Sequence, residues 1–195
     1  MLVKYGNGIL RVFLGYGSAD FYGVKSMLVG RGWRYNMLAA PGDLTSDGWP
    51  DLLARDNLGR MWLYRGTGHG RFMRRKLIGG GWGRYVRLVG AGNLTGTGAA
   101  AETGPGDLLA VSRSGIMWMF KGNGHGGFTR PARVSGGWSR YNAIIGIGDL
   151  NHDGRNDLVA RDTHGRLWFF AGNGSGGFAR GKVVARNWDR WRAIF

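Results

Sequence analysis

A β-propeller of four repeats is the fold the sequence predicts, and three observations predict it. Tryptophan recurs after a short small or polar lead-in at Trp33, Trp82, Trp138 and Trp188, at intervals of 49, 56 and 50 residues, which marks a repeat protein. Apolar residues alternate in short runs, with Trp62 and Tyr64 on one face and Met61 and Leu63 on the other, the period of a strand. Glycine supplies 39 of 195 residues and interrupts the chain at regular turn positions, while proline numbers only 4, as an all-β chain of many short strands requires. Helices find no support in this pattern. Units of about 50 residues with four antiparallel strands bury one sheet against the next and protect their edges by radial repetition.

The second copy shows the unit most fully: Asp51 to Asp56, Gly59 to Gly66, a Gly68-His69-Gly70 turn running into Phe72, Leu77 to Trp82, and Tyr85 to Gly90. The third copy repeats it from Asp107 through Trp118, Gly122 to Phe128 and Trp138, and the fourth from Asp157 through Trp168, Gly172 to Phe178 and Trp188. The first copy departs furthest, with Arg11 where the others carry Trp62, Trp118 and Trp168. The repeats run approximately over 1–50, 51–106, 107–156 and 157–195, and together make one domain spanning 1–195. Met1 aligns with Leu52 and Phe195 with Ile145. The expectation is a ring closed by pairing the strand Trp188 to Phe195 with Leu2 to Tyr5. The competing accounts are a piece of a longer propeller and a half-ring completed by a second copy.

Two loops carry oxygen-bearing side chains at a metal-ligand spacing. Asp43, Thr45, Asp47 and Asp51 occupy positions 1, 3, 5 and 9 of one loop, with the Trp49 carbonyl at position 7 and Gly48 allowing the turn. Asp149, Asn151, Asp153, Arg155 (by its carbonyl) and Asp157 repeat the arrangement. A hard cation with six to eight oxygen ligands suits this set, so structural calcium is expected. The bland reading is a pair of solvated Asx turns. The intervening loop has lost its acids to Asn93, Thr95 and Thr97 and gained the insertion Ala99 to Gly106, so no tight calcium is expected there.

Composition narrows the chemistry. With no cysteine there are no disulfides or thiolate metal sites. The chain contains no apolar run long enough for a membrane span and no signal segment at its start. Catalysis has little to stand on, because the single glutamate, Glu102, lies in the insertion and His69, His125, His152 and His164 lie in glycine-rich turns. The Gly-x-Gly runs at Gly66 and Gly122 read as hairpin turns and not phosphate loops. Net charge is +15, with 27 basic against 12 acidic residues, six of them in the two loops. Anionic partners are favoured. Nucleic acid is disfavoured, since the only basic cluster is Arg74-Arg75-Lys76.

The stretch Gly42 to Asp56 and its cousin Gly148 to Asp162 resemble the FG-GAP or VCBS-type calcium-loop propeller repeats of secreted bacterial proteins, through essentially the whole chain. That resemblance implies calcium staples between the first two strands of a blade and a secreted or cell-surface location. The Gly-Gly-Trp stretches ending at Trp82 and Trp138, each with Tyr three residues on, are similar to those of tachylectin-type lectin propellers, which implies sugars held between neighbouring blades.

Trp62, Trp118 and Trp168 are assigned to packing. Trp82, Trp138 and Trp188 are expected to stand exposed as stacking platforms, with Arg84, Arg140 and Arg190 two residues on. The candidate carbohydrate-binding set is Trp33, Tyr35, Trp82, Tyr85, Trp138, Tyr141, Trp188 and Trp191. The expected function is non-enzymatic recognition of cell-surface or cell-wall glycans by repeated weak sites. The alternative is a protein-interaction or display module of a larger secreted assembly.

Overall fold

A computed structural model describes residues 2–13 and 26–190. Among the described residues, fifteen strands form four antiparallel sheets that follow one another along the chain, and the fold is a four-bladed β-propeller. The first sheet holds β1 (Leu2–Lys4), β2 (Leu10–Phe13) and β3 (Ser26–Gly30). The second holds β4 (Met37–Gly42), β5 (Asp51–Arg55), β6 (Met61–Tyr64) and β7 (Lys76–Gly79). The third comprises β8 (Tyr85–Gly90), β9 (Leu108–Ser112), β10 (Met117–Phe120) and β11 (Ala132–Ser135). The fourth comprises β12 (Tyr141–Gly148), β13 (Asp157–Asp162), β14 (Leu167–Phe170) and β15 (Lys182–Ala185). The second, third and fourth sheets each begin one strand before the repeat boundary drawn from sequence, because the aspartate loops join first to second strands.

Register follows the repeat. Leu53 faces Leu63 and Ala54 faces Trp62 in the second sheet; Leu109 faces Met119 and Ala110 faces Trp118 in the third. The second strands β5 and β13 are buried throughout, whereas the last strands, β7 and β15, are largely exposed. Sheet-on-sheet burial is the hydrophobic driving force. One cluster joins the second and third sheets through Leu53, Met61, Leu63, Trp82, Leu108 and Phe120. Another joins the third and fourth through Leu109, Met117, Met119, Trp138, Leu158 and Phe170.

The first strands β4, β8 and β12 lie against one another, and glycine permits that approach. A Cβ on Gly90 would meet the Ala40 carbonyl at 2.0 Å, and one on Gly146 would meet the Ala91 Cα at 2.4 Å. Side chains at these two positions would push neighbouring blades apart.

Two sequence expectations are corrected or left aside here. The insertion after the eroded loop forms a short helix, α1 (Ala99–Thr103), where none was expected. Its three consecutive alanines are strong helix formers, and Asn93 Nδ2 donates to the Ala100 carbonyl at 2.7 Å to tie it down. The expected closing pairing of Trp188 to Phe195 with Leu2 to Tyr5 lies, from Trp191 onward, outside the described residues.

Candidate functional site between the blades

The lead-ins at Trp33, Trp82 and Trp138 each bridge two sheets. Trp82 and Trp138 open single 3-10 turns, Trp82–Arg84 and Trp138–Arg140, that carry the chain from the last strand of one sheet to the first of the next. These indoles are not exposed platforms. Trp33, Trp82 and Trp138 are 7%, 8% and 3% exposed, against 36% for Trp188. The reason is an aromatic nest that sequence distance hides. Trp82 lies 4.6 Å from Phe120 and 5.9 Å from Phe128 by ring centroids, and Trp138 lies 4.9 Å from Phe170. Trp33 repeats this against Tyr64, at 4.5 Å, and Phe72, at 6.4 Å. Tyr35, Tyr85 and Tyr141 are buried beside their tryptophans. Trp191 falls outside the described residues.

Above two of these nests the surface opens into matching cavities. One, of about 290 Å³, is lined by Gly79 to Trp82, Arg84, Tyr85, Phe120, Phe128, Thr129 and Pro131. The other, of about 230 Å³, is lined by the equivalent Gly136, Trp138, Arg140, Tyr141, Phe170 and Phe178 with Arg180 and Gly181. Each has an aromatic floor and an exposed arginine at its rim.

The two differ in their donors. Trp138 Nε1 donates to Ser135 Oγ at 2.8 Å, whereas Gly79 stands in place of that serine and Trp82 Nε1 has no acceptor among the described residues. The Tyr141 hydroxyl is buried without a hydrogen-bond partner, and burial, opposed by the Arg140 charge, pushes it up and keeps it a protonated donor. At the first joint Arg75 closes the equivalent place: its guanidinium donates to the Tyr35 hydroxyl, which also bonds the Tyr64 hydroxyl at 2.7 Å, and lies 4.2 Å from the Trp62 ring centroid.

Sequence reasoning missed the residues that hold these turns. Arg55 Nη1 donates to the carbonyls of Trp82 (3.0 Å) and Tyr85, and Arg55 Nε donates to Asn36 Oδ1. Arg161 does the same toward Trp188 and Asn142. The recurring Ala-Arg-Asp of Ala54 to Asp56 and Ala160 to Asp162 was the available signal. Its aspartate is a second clasp: Asp56 accepts from the Leu58 and Arg60 amides, from Arg60 Nε and from Trp62 Nε1. Trp118 lacks this support, since Ser112 occupies the aspartate's place.

Desolvation works against the charged form of Asp56, but the Trp62 and Arg60 hydrogen bonds outweigh it and hold the carboxyl at about 2. A depressed carboxyl stabilises the fold above the ordinary aspartate range and loses that contribution as pH falls through its folded value. The advantage of the wild-type chain over Asp56→Asn, up to about 2 kcal/mol, is therefore expected to shrink between pH about 4 and about 2. Urea unfolding across that window checks it, and a pH-independent difference would contradict it.

The aspartate loops are held by backbone amides. Asp51, 1% exposed, accepts from Leu44 and Thr45 N–H at 2.9 and 3.0 Å and from Gly66 N–H at 3.0 Å. Asp157 accepts from Leu150, Asn151 and Gly172. Asp107, in the eroded loop, accepts from Leu94 and Gly122, both at 2.8 Å. Burial raises both Asp51 and Asp107 despite those bonds.

Asp43 accepts from the Thr45, Asp47 and Gly48 amides, Asp47 pairs with Arg65 at 2.8 Å, and Asp149 and Asp153 cap their own loop. Among the described residues no three acidic or histidine side chains gather where a metal ion would sit. One observation does suit a cation: the Thr45 hydroxyl, buried without a hydrogen-bond partner, lies beside the carboxylates of Asp47 and Asp51. His69 caps its own turn through the Thr67 carbonyl, as a turn residue does. Among the described residues no helix is long and apolar enough to cross a membrane.

Comparison with known proteins places this architecture. Residues 104–160 match the FG-GAP-like repeat family. The four-bladed fold is similar to those of solved lectins. It is similar to an Agrocybe aegerita lectin that specifically recognises non-reducing terminal N-acetylglucosamine, at 20% identity and TM-score 0.56, covering 92% of this chain and 46% of that one. It is also similar to the BP39L lectin of Burkholderia pseudomallei, at 17% identity and TM-score 0.53, covering 94% and 51%. This chain thus spans about half the length of these structures. No curated protein matches it.

Proposed function

We propose that this chain is a non-enzymatic glycan-binding propeller whose ligands sit in the paired cavities between blades. The observation that carries the reading is the recurrence, at two successive joints, of an aromatic floor, an exposed arginine and uncommitted polar donors. Such a site offers apolar surface to a sugar ring and hydrogen bonds to its hydroxyls. The indole lies buried within that floor, where a free-standing platform was expected. Arg84 and Arg140, with the net charge of +15, favour acidic surface or cell-wall polymers, and repetition supplies avidity. The likeness to propeller lectins supports this reading by fold, and the secreted or cell-surface setting belongs to the same proposal.

A glycan array probed with the purified chain tests it. Saturable binding to a defined set of glycans is expected, and Arg84→Ala with Arg140→Ala is expected to weaken it at least about tenfold by removing charge-assisted contacts. A blank array, with one protein captured instead, would point to the interaction-module alternative.

Calcium enters this proposal only as a staple of the loops ending at Asp51 and Asp157, where Asp43, Thr45, Asp47, Trp49 O, Asn151, Asp149, Asp153 and Arg155 O complete the oxygen set. In the first loop it would have to displace Arg65 from Asp47. Melting with calcium and with chelator checks this: a higher midpoint in calcium is expected, and an unchanged one leaves the backbone clasps to hold the loops alone.

A further inference from the structure

One wall of each open cavity is the residue just before the last strand of the later sheet. Lys76 pairs with Leu63, Ala132 with Met119 and Lys182 with Phe169, so Arg75, Pro131 and Gly181 occupy equivalent places in successive sheets. Pro131 lines the cavity of about 290 Å³ and Gly181 the cavity of about 230 Å³. Both side chains are compact and leave that space free. At the first joint, between the first and second sheets, the same place carries the long arm of arginine.

A second residue departs from the repeat at that joint. Leu52 faces Tyr64 as Leu108 faces Phe120 and Leu158 faces Phe170, so Tyr64 adds a hydroxyl where the other two sheets carry phenylalanine. The nest is otherwise kept, with Trp33 against Tyr64 and Phe72 as Trp82 is against Phe120 and Phe128. The two departures meet on one group. The Arg75 guanidinium donates to the Tyr35 hydroxyl, which also bonds the Tyr64 hydroxyl at 2.7 Å. At the joint between the third and fourth sheets the counterpart of Tyr35 is Tyr141, whose hydroxyl is buried without a hydrogen-bond partner. A buried hydroxyl is costly to leave unpaired. What the protein supplies at Tyr35 is therefore left to an incoming molecule at Tyr141.

We propose that the first joint is a third sugar site of the same build, occupied by the protein's own Arg75. The inference rests on the glycan reading of the two open cavities. The guanidinium makes the two kinds of contact that those cavities offer a sugar, a hydrogen bond to the buried tyrosine and a face laid on aromatic surface, 4.2 Å from the Trp62 ring centroid. Being tethered, it competes at a high effective concentration, which a weakly bound sugar does not overcome. Arg75 is exposed, so its removal takes nothing from the core.

Isothermal titration with the free oligosaccharide that gives the strongest signal on the glycan array tests this. The wild type is expected to show about two sites and Arg75→Ala about three, one for each joint. Arg75→Ala combined with Arg84→Ala and Arg140→Ala is expected to keep only the site at the first joint. Arg75→Gly, which copies Gly181, serves as a second opening variant, and circular dichroism melts verify the fold of each. Arg75 variants that fold but show the wild-type number of sites would overturn this proposal and leave the glycan reading standing. A gained site that disappears in the triple variant would also overturn it, because that site would not lie at the first joint. Unfolding of both Arg75→Ala and Arg75→Gly would do the same, showing the arginine to be a structural clasp. A blank array for the wild type and both variants would instead remove the glycan reading and this proposal with it.

Discussion

Trp138→Ala is expected to destabilise the propeller by about 3–5 kcal/mol, the cost of removing a large aromatic from a packed interior. Trp138 is 3% exposed and touches Phe170 and Tyr141 across the joint between the third and fourth sheets, so its loss opens a cavity and frees Ser135 Oγ from its donor. For a chain of this size the melting midpoint should fall by roughly 10 °C. Trp188→Ala, at 36% exposure, is expected to cost about 1 kcal/mol or less, because a surface side chain gives up little burial. Thermal melts of the two variants compare them directly. Equal losses would show that the lead-in tryptophans share one environment, as an exposed-platform reading requires.

The second large effect is expected at Asp107. Asn has nearly the same shape, but one side of its head is a donor, so Asp107→Asn sets an NH₂ group against the amide of Leu94 or of Gly122 and leaves at least one buried N–H unpaired. That costs about 1–3 kcal/mol, with part returned because the buried charge is removed. The loss should be unchanged by chelator, since the loop ahead of it carries Asn93, Thr95 and Thr97 in place of acids. Asp51→Asn breaks the same clasp and is expected to cost a similar amount. Urea unfolding of both variants, with calcium and with chelator, separates the roles. A silent Asp107→Asn beside a costly, calcium-dependent Asp51→Asn would mean that this position serves as a metal ligand first.

The strands and hairpin turns were legible because they are local: period-two alternation and the glycines preceding Phe72, Phe128 and Phe178 act within a few residues, and the return of tryptophan every 49 to 56 residues exposed the repeat. Burial was not. Whether Trp82 faces water depends on Phe120 and Phe128, 38 and 46 residues on in the next sheet and its hairpin turn, and no short window of the sequence contains all three. The aspartate loops admit two readings for a related reason. Carboxylates at turn positions suit a cation and suit backbone amides equally well, and Gly66 and Gly122, whose amides claim Asp51 and Asp107, come from a different strand connection. The helix Ala99–Thr103 was readable from its alanines alone, but the glycine-rich surroundings argued against it. The arginine of each Ala-Arg-Asp run looked like surface charge; only the fold brings Arg55 beneath the turn that carries Trp82.

Glycans in the cavities between blades are the central claim, and the number of sites per chain tests it most directly. Isothermal titration with a glycan selected on the array is expected to give about two sites for the wild-type chain, one for each open cavity, and one fewer for Arg140→Ala with the melting midpoint unchanged. A stoichiometry that Arg140→Ala and Arg84→Ala both leave intact would contradict the claim and place the sugar elsewhere on the molecule.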